Sequence, residues 1–157
     1  MDHIEALMRL AISEAEKGIA TGQSPFGCAI SLNGEVIASA HNHVVSDVDA
    51  TAHAEVNAIR AACKNTNNIH LVGAIVATTC EPCPMCMAAL HWARVEQVYY
   101  GATIADAEHA GFNELTLSAK SLLQQGGSTI KLIHGPLQAE CQNLFKQWTS
   151  NANHCCY

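Results

Sequence analysis

His53 and Glu55 in TAHAE, with Cys83 and Cys86 in TTCEPCPMC, are residue types that together can hold a metal ion and move a proton. Two cysteines three apart in a helix's first turn direct their sulfurs to the same side. The free N–H groups and positive dipole end of that turn favour thiolates. Pro84, between them, suits a turn that requires no backbone N–H. His53 opens the preceding helix, and bringing the two helix starts together gives one nitrogen and two sulfur ligands. Zinc accepts that set with its fourth position left to water, as in a catalytic rather than a structural site. Such an ion makes water far more acidic than in bulk. Glu55 shares the first turn with His53 but points elsewhere round the helix, so it can take the released proton without ligating the metal.

Other readings use some of the same residues. A thioredoxin-like motif accounts for Cys83 and Cys86 but leaves HAE unexplained. A ferredoxin-type cluster can borrow Cys80, yet it wants a cysteine four residues beyond Cys86, where Leu90 stands. Structural zinc with Cys80 as fourth ligand is the serious competitor, and it leaves Glu55 without a role. Cys28 and Cys63 lie in apolar stretches and read as small core residues. His154 with Cys155 and Cys156 offers a conceivable second metal site, and the other histidines form no ligand spacing.

A chain of 157 residues fits one ordinary domain and can bury about 70% of its unfolded surface without disulfides. No apolar run approaches the roughly 18 to 20 residues of a membrane span, and the amino terminus lacks a signal-peptide pattern. The expectation is a soluble, cytoplasmic protein whose eight cysteines serve as metal ligands or buried thiols. The formal charge is −6 and the eight basic residues are scattered singly. That weakens nucleic-acid binding, which needs several on one surface.

The elements that position the candidate ligands follow from pattern. Asp2 and Glu5 form a capping-box pair ahead of a helix reaching about Ile19. Strands at 28–32 and 35–40 flank Asn33-Gly34, which accepts a type I′ hairpin turn. Residues 41–52 are turn-rich and lead into a helix over 52–64. A buried strand at 74–79 delivers the chain to CEPCPMC, and a helix runs from Pro84 to about Arg94. A strand at 97–101, helices near 104–109 and 115–124, a strand at 129–134 and a helix over 136–149 complete the chain. The order predicts an α/β protein with one mixed sheet covered by helices, its ligand groups at strand ends and helix starts.

HAE followed by PCPMC is the HxE and PCxxC signature of zinc-dependent nucleobase deaminases. On these motifs the chain resembles the cytidine deaminase-like superfamily, whose members share a three-layer helix-sheet-helix fold. The resemblance covers nearly the whole chain in element order. It implies that His53, Cys83 and Cys86 bind zinc and that Glu55 shuttles protons. SPFG at 24–27, Asn42, DATAHAE at 49–55, HWAR at 91–94 and AGFNE at 110–114 look like bacterial guanine deaminases. The tRNA adenosine deaminases share the zinc motifs and the asparagine, whereas Trp92 and AGFNE favour the guanine enzymes. Ala50 stands where the family has proline, which bears on the rigidity of that loop.

The same resemblance implies a substrate pocket. Phe26 would stack on a planar base, Asn42 would offer a donor and an acceptor to a purine edge, and Trp92 would wall the cavity. Glu114 would meet the amino group and ring N–H of guanine, and it is one methylene longer than the usual aspartate. The expected domain spans 1–149, and the tail 150–157 would exchange within a homodimer so that Tyr157 closes the partner's site. TSNANHCC before Tyr157 differs from the commoner tail. The implied reaction is hydrolysis of guanine, a small purine base, to xanthine and ammonia. Rivals are a tRNA adenosine deaminase, a deaminase of guanosine, cytosine or a triazine, and a noncatalytic zinc-stabilised binding module.

Overall fold

A computed structural model describes residues 2–157. Residue 1, where the expected domain begins, lies outside the described residues. Its five strands are β1 (Gly27–Leu32), β2 (Glu35–His41), β3 (Ile75–Cys80), β4 (Gln97–Ala102) and β5 (Lys131–His134). They form one sheet in the order β2-β1-β3-β4-β5. Asn33 and Gly34 both take positive φ, 53° and 83°, as the tight turn requires, so β1 and β2 pair antiparallel. β1 also pairs antiparallel with β3, while β3, β4 and β5 run parallel. Parallel neighbours need crossovers, which the intervening helices supply. The mixed sheet is the expected one.

The helices are α1 (His3–Ala20), α2 (Val44–Asp47), α3 (Ala54–Thr66), α4 (Pro84–Trp92), α5 (Ile104–His109), α6 (Ala119–Gly126) and α7 (Gln138–Thr149). Alternation along the strands sends successive side chains into two separate cores. Ile30 and Val76 pack with Ala58, Ala62, Leu90 and Leu123 of α3, α4 and α6. Their neighbours Ala29 and Ala77 pack with Met8, Leu144, Phe145 and Trp148 of α1 and α7. The sheet thus lies between two helical layers. At Gly27 a Cβ would overlap the Ala11 carbonyl oxygen, so only glycine lets α1 lie this close to β1.

Four local expectations are revised. Asp2 stands at the N-cap of α1 but makes no side-chain cap bond, and Glu5 pairs instead with Arg9 at 2.7 Å. The turn-rich stretch after β2 contains the one-turn helix α2. α3 starts at Ala54 rather than Ala52, which leaves His53 at its N-cap. α6 starts only at Ala119, because the Ser118 hydroxyl accepts from Ser121 N at 3.1 Å and sets the helix start there. Among the described residues, no helix is long and apolar enough to cross a membrane.

Candidate active site

His53 is the N-cap of α3, Cys83 is the N-cap of α4, and Cys86 lies in the first turn of α4. β3 and the loop before α3 bring these two helix starts together. That loop is held by Asp49, whose carboxylate accepts from the backbone N–H and hydroxyl of Thr51 at 2.8 and 2.7 Å. This turn constrains the backbone on either side of Ala50. His53 Nδ1 lies 3.6 Å from Cys83 Sγ and 3.5 Å from Cys86 Sγ. Ligands at ordinary Zn–N and Zn–S distances on a tetrahedral ion lie about 3.6 Å apart, so the trio fits zinc.

Among the described residues these three form the one group of His, Cys, Asp or Glu with metal-ligand spacing. Cys80, the competing fourth ligand, turns away and donates to the Thr103 carbonyl at 3.4 Å. His154, Cys155 and Cys156 form no second cluster. The hydrogen bond from Cys86, reinforced by His53 against the opposing effect of burial, draws the Cys83 thiol down to about 4. Cys83 is thus a thiolate at neutral pH. Its bond to Cys83 and its burial push Cys86 up. Burial lowers the His53 imidazole, but the bond to Cys83 and the charges of Glu55, Cys83 and Glu114 leave it raised overall.

Glu55 is 6% exposed and accepts from the Thr78 hydroxyl at 2.7 Å. Burial and then the Cys83 charge raise its pKa, which suits a group that must both take and give a proton. Glu55 lines a cavity of about 290 Å³ together with His53, Cys83, Phe26, Phe112, Glu114 and Tyr157. This volume is at the small end of the roughly 300–1,000 Å³ of small-molecule sites and suits a single planar ring system. Phe26 meets Phe112 edge to face with ring centroids 5.0 Å apart. Burial, and then the Cys83 charge, raise the pKa of Glu114.

The other expected pocket residues are placed differently. Asn42 is fully buried and is not among the residues lining the cavity. Its Oδ1 accepts from Val44 N at 3.0 Å and its amide donates to the Tyr157 hydroxyl. One N–H and one oxygen lone pair of the amide expected to face a purine edge are therefore engaged by the protein. Trp92 is 80% exposed and lies in a separate groove with Ile59, Arg60, Ile69 and Arg94. It follows Cys86 by six residues, which is about 9 Å along the helix and well round from the sulfur's side. Trp92 does not wall this chain's cavity. Tyr157 does reach a cavity, but that of its own chain, where its carbonyl accepts from Asn113 N at 3.0 Å. Burial pushes its phenol up to about 12.

Three contributors carry little local signal in the sequence. Phe112 is a single aromatic residue within AGFNE. Thr78 gave a signal as one of two adjacent hydroxyl residues ending an apolar strand. Glu81 is the lone charge of CEPC, and its carboxylate accepts from Ile104 N and Ala119 N.

Three metal ligands pooled at two helix starts, beside a buried carboxylate and above a mixed sheet, define the class of zinc-dependent base deaminases. The chain belongs to the family described as the cytidine and deoxycytidylate deaminase zinc-binding region, which matches residues 1–102. It is 44% identical over 115 residues to the guanine deaminase of Bacillus subtilis (strain 168), covering 73% of each chain. It is 36% identical over 146 residues to the tRNA-specific adenosine deaminase of the same strain, covering 92% of this chain and 87% of the relative. A solved guanine deaminase from Nitrosomonas europaea superposes with a TM-score of 0.84 at 25% identity, covering 94% of this chain and 85% of the other.

Proposed function

We propose that this deaminase hydrolyses guanine to xanthine and ammonia, with His53, Cys83 and Cys86 holding zinc. The observation that carries the reading is the placement of Glu55 and Glu114 in one small cavity, with the metal ligands beside Glu55. A carboxylate accepts but does not donate when ionised, so Glu114 complements the ring N–H and amino group of guanine. The corresponding edge of adenine offers a ring nitrogen without hydrogen, which faces a carboxylate unfavourably.

Zinc, when bound, supplies the Lewis acidity that makes water a nucleophile at neutral pH. Glu55 accepts a proton from the water that attacks C2 and passes it to N3. It then carries the second water proton to the amine, which leaves C2 as ammonia. The Thr78 hydroxyl keeps Glu55 aimed through these transfers. The rings of Phe26 and Phe112 supply apolar wall for the base and keep bulk water out. Tyr157 closes the cavity from the carboxyl end of the same chain.

The closeness to tRNA-specific relatives makes a flipped-out adenosine the rival substrate. The net charge of −6 disfavours it. The test is to load the purified protein with zinc and measure ammonia from guanine, guanosine, adenine, cytosine and tRNA. Release from guanine alone is expected. Release from tRNA alone, or from none of the panel, overturns the reading.

A further inference from the structure

Glu81 sits between Cys80 at the end of β3 and the turn into α4. Its backbone N–H donates to the Ala102 carbonyl at 2.8 Å, fixing the residue to the end of β4. Its two carboxylate oxygens diverge. Oε2 accepts from Ile104 N at 3.2 Å and Oε1 accepts from Ala119 N at 3.0 Å. Ile104 and Ala119 are the first residues of α5 and α6. One side chain therefore satisfies an otherwise orphaned donor at each of two helix starts, where both positive ends favour its charge.

Between these two anchor points, residues 104–119 carry Phe112, Glu114 and Leu115 along one wall of the cavity. Within the loop, the backbone bonds of Phe112 and Glu114 are local, to Ala107 and Phe112, and only Asn113 reaches a distant element, at Tyr157. The same Glu81 belongs to the short loop that presents Cys83. We infer that Glu81 is a positioning residue for base recognition: by holding both ends of segment 104–119 to the metal-binding loop, it fixes Glu114 relative to Glu55 and the ligand trio. The inference rests on the proposed role of Glu114 toward the base.

The test compares Glu81→Gln and Glu81→Ala at equal zinc content. Glutamine keeps one acceptor oxygen but turns an N–H toward the other helix start, so it releases one anchor. Alanine releases both. The expected result is graded: KM for guanine rises about threefold in the glutamine variant and about tenfold in the alanine variant, with kcat falling less than KM rises. Amide hydrogen exchange over residues 110–116 accelerates in the same order, while α3 and α4 exchange as in the unaltered protein. Unchanged exchange over 110–116, acceleration spread evenly over the chain, or an unchanged KM with zinc retained overturns the inference. If guanine is not the substrate, KM is read on whichever base of the panel releases ammonia. The exchange measurement stands in either case and separates failure of this inference from failure of the guanine reading.

Discussion

The Thr78 hydroxyl donates to Glu55 Oε1 at 2.7 Å from inside the sheet, so the buried carboxylate is oriented by β3, the strand that also delivers Cys83 and Cys86. Ligands and proton carrier thus share one rigid support. Glu55→Gln keeps the size of the side chain and removes its basicity. Turnover should fall by about 10²- to 10⁴-fold with zinc content unchanged. Ammonia release and metal analysis on the same sample check this, and retained turnover would eliminate Glu55 as the shuttle.

Thr78→Val removes the donor while leaving the strand intact. An acceptor left unsatisfied in a buried site costs about 1–3 kcal/mol. Denaturant unfolding should report a loss in that range, together with lower kcat and little change in KM.

Removal of zinc should destabilise the protein, because the trio spans two helix starts that the ion would tie together. Metal that binds only the folded state adds stability by mass action, about 2.7 kcal/mol at a hundredfold excess over Kd. A chelator should lower the melting temperature, and added zinc should restore it. Cys86→Ala should abolish that zinc-dependent rise.

Trp92→Ala should leave kcat/KM for the preferred base within about twofold, since surface substitutions away from a site change little. Phe26→Ala, which opens the cavity wall, should weaken turnover and stability together. Steady-state kinetics on the two variants separates the residue outside the cavity from the one lining it. A large loss with Trp92→Ala would restore Trp92 to the site.

Asp106 closes a capping box with Thr103 at the start of α5. Burial raises its carboxyl, but hydrogen bonds from the Thr103 backbone, Gln142 and the Thr103 hydroxyl, with the nearby His109, bring it below its ordinary value. A carboxyl depressed on folding contributes stability that is complete above its unfolded value of about 3.9 and is lost as pH falls through the folded value. The melting-temperature difference between the unaltered protein and Asp106→Asn should therefore be constant from pH 7 to 5 and shrink below about pH 4. A constant gap down to pH 3 would contradict the depressed value.

The metal trio was legible because it follows from local rules: CxxC at a helix start turns two sulfurs one way, and histidine stands at the neighbouring start. The hairpin was legible for the same reason, since Asn33-Gly34 carries its own backbone preference. The cavity was less so. Glu81 acts on Ile104 and Ala119, 23 and 38 residues away, and no short-range pattern announces such a bond. Resemblance placed Trp92 in the pocket, whereas the angular step from Cys86 along α4 turns it outward. It also directs Tyr157 to a partner's site, and in the single chain the tail lies over its own cavity.

The reactive floor of the cavity is built on the starts of α3 and α4 and braced by Thr78 of β3, whereas its opposite wall is the loop between α5 and α6, moored to the core by Phe112. Exchanging residues 113–118, beyond the buried Phe112, would therefore be the economical route to a new base preference, because that part of the wall can be redrawn without disturbing the groups that make and break bonds. One scaffold retuned in this way is a natural starting point for engineering catalysts toward other amino-substituted heterocycles.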